Sequence, residues 1–326
     1  MKLIKKSIWL ISTLALAACA ISPTPGLTPA NTGLPTAIIL YLATLTASPS
    51  PTPPATLTPV PTSTPTRSPL NLSNPAVVVL AQNLPGPDDL LLVPDGSIYI
   101  SDIDTGAVQA YHPDGSLTPL VSGLSVPEGM LLLPDGSLLI AEQGKNRLVR
   151  YDFKAQTLSP FLSLSNLTGL ESVDGIALDS HLPDAPTIII PDSPHGTVLR
   201  ASLDGQRVTV IAKGFARPTG AWVEADGSIL VPDENGAALK RIRPDGSVEK
   251  IADFSIPDDV IEDSAGNIFV AAIGDNAIHV IPAGSSRERV LVGGLSGPQG
   301  LIFDADGNLV VTDPGNHRLI KIFLYP

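Results

Sequence analysis

The stretch "GPQGLIFDADGNLVVTD", Gly297 to Asp313, decides how the chain folds. It opens on Pro-X-Gly, continues as a short apolar run, turns at Asp306-Gly307 and returns as a second apolar run ending in a carboxylate. An Asp-Gly turn between runs rich in Val, Ile and Leu reads as a β-hairpin. The same unit recurs as "GPDDLLLVPDGSIYISD" from Gly86, "VPEGMLLLPDGSLLIAE" from Val126, "RPTGAWVEADGSILVPD" from Arg217 and "IPDDVIEDSAGNIFVAA" from Ile256. A looser copy, "SVDGIALDSHLPDAPTIIIPD", begins at Ser172. The X residues are Asp88, Glu128, Asp174, Thr219, Asp258 and Gln299, and successive ones lie 40, 46, 45, 39 and 41 residues apart.

Each repeat carries four apolar runs, and antiparallel units of about forty residues are the blades of a β-propeller. The expected fold is therefore all-β, a six-bladed propeller over 76–326 with four antiparallel strands per blade. The ends test this reading. The last unit stops after its third strand, "HRLIKIFLYP", whereas "AVVVLAQNLPGPDD", Ala76 to Asp89, matches the fourth-strand segments that begin at Val208 and Arg289. The N-terminal strand should complete the last blade and close the ring, leaving no free sheet edge there.

Residues 1–19 read as an export signal. Lys2, Lys5 and Lys6 precede an apolar run from Ile8 to Ala18 that is too short to span a bilayer. The run ends "LAAC", which looks like a bacterial lipobox and makes Cys19 the expected lipidation site. Cys19 is the sole cysteine, so no disulfide or thiolate metal site is available. Residues 20–75 are rich in Pro, Thr and Ser and read as a disordered tether. The expected product is an exported lipoprotein, membrane-anchored only through its N-terminal lipid and monomeric. Loss of the three signal lysines takes the net charge from −12 to −15, and only 4% of residues are aromatic. Nucleic acid is therefore excluded as a partner, and cations and small solutes fit better.

Strand direction gathers the X residues. They begin the innermost strands and should converge on one mouth of the central channel, with Asp102, Glu142, Asp192 and Asp233, at the ends of the second strands, forming an outer rim. Asp89 and Asp259 occupy the glycine slot and are expected to point away from the axis. Four of the six X residues are carboxylates. At ~6 Å and an effective dielectric of ~20 each pair repels by ~2–3 kcal/mol. Six such pairs approach or exceed a domain's margin of about 5–15 kcal/mol. None of the six X positions carries Lys or Arg, so raised pKa values or a bound divalent cation, most simply Ca²⁺, must neutralise them. Asp88, Glu128, Asp174 and Asp258 are the candidate metal ligands, with Thr219 and Gln299 beside them on the substrate face. His195, in "PDSPHG", lies in a loop expected on the mouth face and is a candidate acid or base.

The units "PQGLIFDADGNLVVTDPGNHRLIKI" and "PEGMLLLPDGSLLIAEQGKNRLVRY" resemble NHL repeats, and the whole is similar to the gluconolactonase and senescence-marker-protein group of six-bladed propellers. The resemblance implies a divalent cation at the channel centre, with Asp88 in the place of a Glu, Asp174 in that of an Asn and Asp258 in that of an Asp. It also implies that the metal activates a lactone carbonyl or a water, with Asp258 as base. Thr219 departs from the family's Asn. Two further readings stay open. One is a non-catalytic NHL-type propeller that binds a glycan, peptide or envelope protein. The other is an enzyme similar to the streptogramin lyases, using His195 with Glu142 or Glu234.

Overall fold

The computed structural model describes residues 70–164, 172–182 and 185–325. The signal, Cys19 and most of the tether lie outside the described residues. The first strand is β1 (Ala76–Gln82). The first blade follows with β2 (Pro87–Leu92), β3 (Ile98–Asp102), β4 (Ala107–Tyr111) and β5 (Leu117–Ser122), and the second with β6 (Pro127–Leu132), β7 (Leu138–Glu142), β8 (Arg147–Asp152) and β9 (Thr157–Ser163). The third holds β10 (Ala177–Asp179), β11 (Thr187–Asp192), β12 (Thr197–Ser202) and β13 (Val208–Lys213). The fourth holds β14 (Trp222–Val223), β15 (Ile229–Asp233), β16 (Ala238–Ile242) and β17 (Val248–Asp253). The fifth holds β18 (Pro257–Glu262), β19 (Ile268–Ala272), β20 (Ala277–Ile281) and β21 (Arg289–Gly293). The chain ends with β22 (Leu301–Phe303), β23 (Leu309–Asp313) and β24 (Arg318–Phe323).

These strands form six four-stranded sheets, five of consecutive strands and one in the order β1-β24-β23-β22. In that sixth sheet β1 pairs antiparallel with β24 from Ala76 opposite Phe323 to Gln82 opposite Arg318. The chain is thus a six-bladed β-propeller whose last blade is completed by the N-terminal strand. Each innermost strand touches the next, β2 with β6 and so on to β22, which returns to β2. Burial follows the ring: six apolar clusters lie among the described residues, one between each pair of neighbouring blades. Leu84, Leu90, Ile100, Val310 and Leu319 fill the one that joins the last blade to the first.

One boundary moves. Residues 70–75, assigned to the tether by composition, lie on the sixth blade: Leu70 and Leu72 pack against its apolar cluster and Asn71 N–H donates to the Leu324 carbonyl at 2.7 Å. Two leucines with apolar surface to cover outweigh the local proline and serine content.

Candidate functional site at the channel mouth

The geometry of the site begins with a bulge. Pro87 pairs with Asp102 but Leu90 pairs with Ile100, so β2 carries one residue more than β3 across that interval. The same slip occurs between Pro127 and Met130 and between Pro257 and Val260. A bulge breaks the alternation of faces, so two successive side chains can share one side of the strand. Asp88 and Asp89 therefore both line the channel, as do Asp258 and Asp259. The expectation that Asp89 and Asp259 point away from the axis fails for this reason.

Glycine in the other slots lets the innermost strands close on each other. Gly175 N–H donates to the Thr219 carbonyl at 3.0 Å and Gly300 N–H to the Asp88 carbonyl at 3.1 Å. A Cβ on Gly300 would meet that carbonyl oxygen at 2.5 Å. Where Asp replaces Gly, the carboxylate makes the link instead. Asp259 Oδ2 accepts from Leu301 N in the next blade at 2.9 Å and Oδ1 from Val260 N at 2.8 Å, while Asp89 Oδ1 accepts from Leu90 N at 2.7 Å.

Above this waist opens a cavity of about 300 Å³ lined by Asp88, Glu128, Asp174, Asp258 and Gln299, the mouth inferred from strand direction. The four carboxylate residues are 3–8% exposed. Burial pushes Asp88 up to about 7, against a lowering hydrogen bond with Glu128 and with Asp174 adding to the rise. Burial and the nearby Asp88 raise Glu128 well above the usual carboxyl range, and burial with Asp174 and Asp88 does the same for Asp258. The two carboxyl groups interact, which adds to the rise of Glu128 and opposes that of Asp88. Asp88 Oδ2 is buried without a hydrogen-bond partner.

Sequence reasoning missed the cation of this site. Arg217 Nη2 lies 2.9 Å from Asp174 Oδ2, its Nη1 pairs with Glu234, and Gln143 Nε2 donates to Asp174 Oδ2 at 3.5 Å. Burial raises the Asp174 pKa and Arg217 opposes that rise. The signal was present: two residues before X, where the other blades carry Gly86, Val126, Ser172, Ile256 and Gly297, the fourth carries arginine. Thr219 is fully buried and its Oγ1 donates to the Asp258 carbonyl at 2.7 Å, so its hydroxyl belongs to the wall and it does not line the cavity.

The expected rim is not a rim. Asp102, Glu142, Asp192 and Asp233 are 0–6% exposed and hold blade loops together. Glu142 Oε1 accepts from Ser125 N at 3.0 Å and pairs with Lys145 and Arg147. Asp233 Oδ1 accepts from Ala216 N and Arg217 N, both at 2.8 Å, and its other oxygen pairs with Lys240. Asp102 caps Thr105 N at 3.0 Å. Asp192 pairs with His195 Nδ1 at 2.9 Å. His195 thus fills, in the turn Ser193–His195, the place that Lys145 fills in the turn Gln143–Lys145, and it is absent from the mouth lining. The expectation that His195 overlooks the mouth is not met, because the turn directs it to its own strand end. Glu142 likewise lies away from the mouth, whereas Glu234 lines it.

A divalent cation can be tested against these residues. Asp88, Glu128 and Asp258 offer hard oxygen donors, and the orphaned Asp88 Oδ2 is a group that a cation would satisfy. Asp174 is withdrawn by Arg217. As they stand, no three His, Cys, Asp or Glu side chains among the described residues are close enough to hold an ion. The donor chemistry fits, and a centre here would be assembled on binding.

The site and fold together define a class: a six-bladed propeller with an acidic, concave channel mouth. Neither a family profile nor a curated protein matches the sequence. Solved structures do. The chain is similar to a gluconolactonase from Xanthomonas campestris (15% identity over 78% of this chain and 91% of that one, TM-score 0.66). It is also similar to regucalcin, described as a calcium-binding protein, from Agrobacterium tumefaciens (16%, 77% and 95%, TM-score 0.63). A third similar structure is virginiamycin B lyase from Staphylococcus aureus (14%, 77% and 99%, TM-score 0.60). At these identities the likeness is one of fold.

Proposed function

We propose that the channel mouth is the active site of a hydrolase for a small lactone or related ester. The observation that carries this reading is the Asp88–Glu128 pair, two buried and mutually interacting carboxyl groups, both held above the usual carboxyl range, Asp88 at about 7, inside a cavity of about 300 Å³. That volume takes a small molecule, and two carboxyl groups pushed to different protonation states are what acid and base roles need. Asp88, ionised, takes a proton from water as the oxygen attacks the carbonyl carbon. Glu128 holds Asp88 in place through its own proton, and Asp258, protonated, donates to the carbonyl oxygen. The proton gained by Asp88 passes to the alkoxide that leaves, so acid and alcohol are the products. Asp88, Glu128 and Asp258 would also hold a divalent cation, most simply Ca²⁺, which would polarise the same carbonyl. Similarity to a gluconolactonase and to a calcium-binding propeller supports both parts. We further propose that the protein works outside the cytoplasm as a monomer anchored through Cys19, for which mass spectrometry of the N-terminus of membrane-purified protein is the check.

The test is a screen of lactones and aryl esters, with Ca²⁺ and with chelator, on wild type, Asp88→Asn and Glu128→Gln. Turnover that rises with pH through about 7, as Asp88 ionises, and falls by about 10²-fold or more in both variants supports the reading. No turnover of any substrate, together with no calorimetric Ca²⁺ binding, would sink it and leave a non-catalytic propeller that binds a glycan, peptide or envelope protein.

A further inference from the structure

The channel has a second end, and its chemistry is different. Beneath the waist, where the free space narrows to about 10 Å³, the channel reopens into a chamber of about 360 Å³ on the face opposite the mouth. Two residues beyond the glycine slot of every blade, the wall is apolar: Leu91, Leu131, Ala177, Trp222, Ile261 and Ile302. Among the described residues, the only charged side chains lining the chamber are Asp89 and Asp259, and no lysine or arginine lines it.

We propose that this chamber binds an amphiphilic ammonium compound, its cationic head on Asp89 and Asp259 and its apolar body along Leu91, Leu131, Trp222 and Ile302. Ligand sites are concave and mostly apolar, with a few polar groups that fix orientation, and the chamber has that make-up. The polar groups choose the head. Both oxygens of Asp259 already accept a backbone N–H, at 2.8 and 2.9 Å, and each retains a lone pair that only a donor can use. An anionic head would be repelled, and a neutral alcohol would bring one donor and no charge. Trp222 adds an aromatic wall suited to a cation and its methylenes. The narrow waist separates the chamber from the mouth.

The chain contains two tryptophans, Trp9 and Trp222, and the second reports on the chamber directly. Full-length protein is titrated with 4-phenylbutylamine, 4-phenylbutanol and 4-phenylbutanoate, followed by tryptophan emission and calorimetry. The amine is expected to bind about tenfold more tightly than the alcohol, with no binding of the acid. Asp259→Asn should bring the amine to the level of the alcohol, and Ala177→Phe should fill the chamber and block both. Equal affinities for the three probes, no saturable change, or amine binding that survives Ala177→Phe would each overturn the proposal. The comparison of probes on unaltered protein decides the matter even where a variant fails to fold.

Discussion

Two sets of buried carboxylates occupy this propeller, and they behave in opposite ways. Glu142, Asp233 and Asp313, at the ends of second strands, are 0–1% exposed; Asp88, Glu128 and Asp258, at the starts of first strands, are 3–7% exposed. Burial disfavours the charged form of a carboxyl group unless partners compensate it. At Glu142 two cations, Lys145 and Arg147, outweigh that effect and leave its pKa lowered. Asp313 receives Ser296 N–H at 2.7 Å and Arg318 at 2.7 Å. The channel set has no comparable supply of donors, and its members are raised. What separates a strut from a reactive group here is compensation rather than burial.

The largest effect should come from breaking a strut. Asp313→Ala leaves Arg318 half-buried without its partner and Ser296 N–H without an acceptor, so a loss of roughly 3–5 kcal/mol is expected in a denaturant titration. A value under about 1 kcal/mol would mean that the strut set is no better supported than the channel set.

The channel set should show the reverse sign. The folded pKa of Asp88, about 7, lies above its ordinary value of 3.8, so its contribution to stability is fully present below about pH 4 and is lost as pH rises through about 7. Asp88→Asn removes the titrating group. Its melting temperature should therefore fall less than that of wild type between pH 4 and 8, by an amount on the order of a few kcal/mol in stability. Identical pH profiles for the two proteins would place the Asp88 carboxyl in water.

The smallest effect should come from the hydroxyl that supports the ring. Thr312 Oγ1 donates to the Asp88 carbonyl at 2.6 Å and accepts from Gly300 N at 2.8 Å. Thr312→Val should cost about 0.5–1.5 kcal/mol, since the Asp88 carbonyl and Gly300 N–H keep their bond to each other. Loss of hydrolysis with little change in stability would instead tie Thr312 to the position of Asp88.

Much of this was legible beforehand. The Pro-X-Gly and Asp-Gly repeats carry the blades, and the missing fourth strand after "HRLIKIFLYP" carries the closure. The convergence of Asp88, Glu128, Asp174, Asp258 and Gln299 followed from strand direction alone. Asp89 and Asp259 were misplaced because a bulge is an extra residue in one strand relative to its partner, and a single strand does not reveal its partner's count. The strand-end carboxylates were misread as a rim because their partners, such as Ser125 for Glu142 and Ala216 for Asp233, lie 17 residues away in the loop that enters the blade.

By itself the sequence determined the blade count, the order of strands and the identity of the residues at the mouth, because period, turn chemistry and hydrophobic alternation are local. Only the tertiary structure decided which carboxylates are compensated. Hydrogen bonds and ion pairs reach over a few ångströms of space, and the groups that meet there, Arg217 on Asp174 and Glu128 on Asp88, come from different blades.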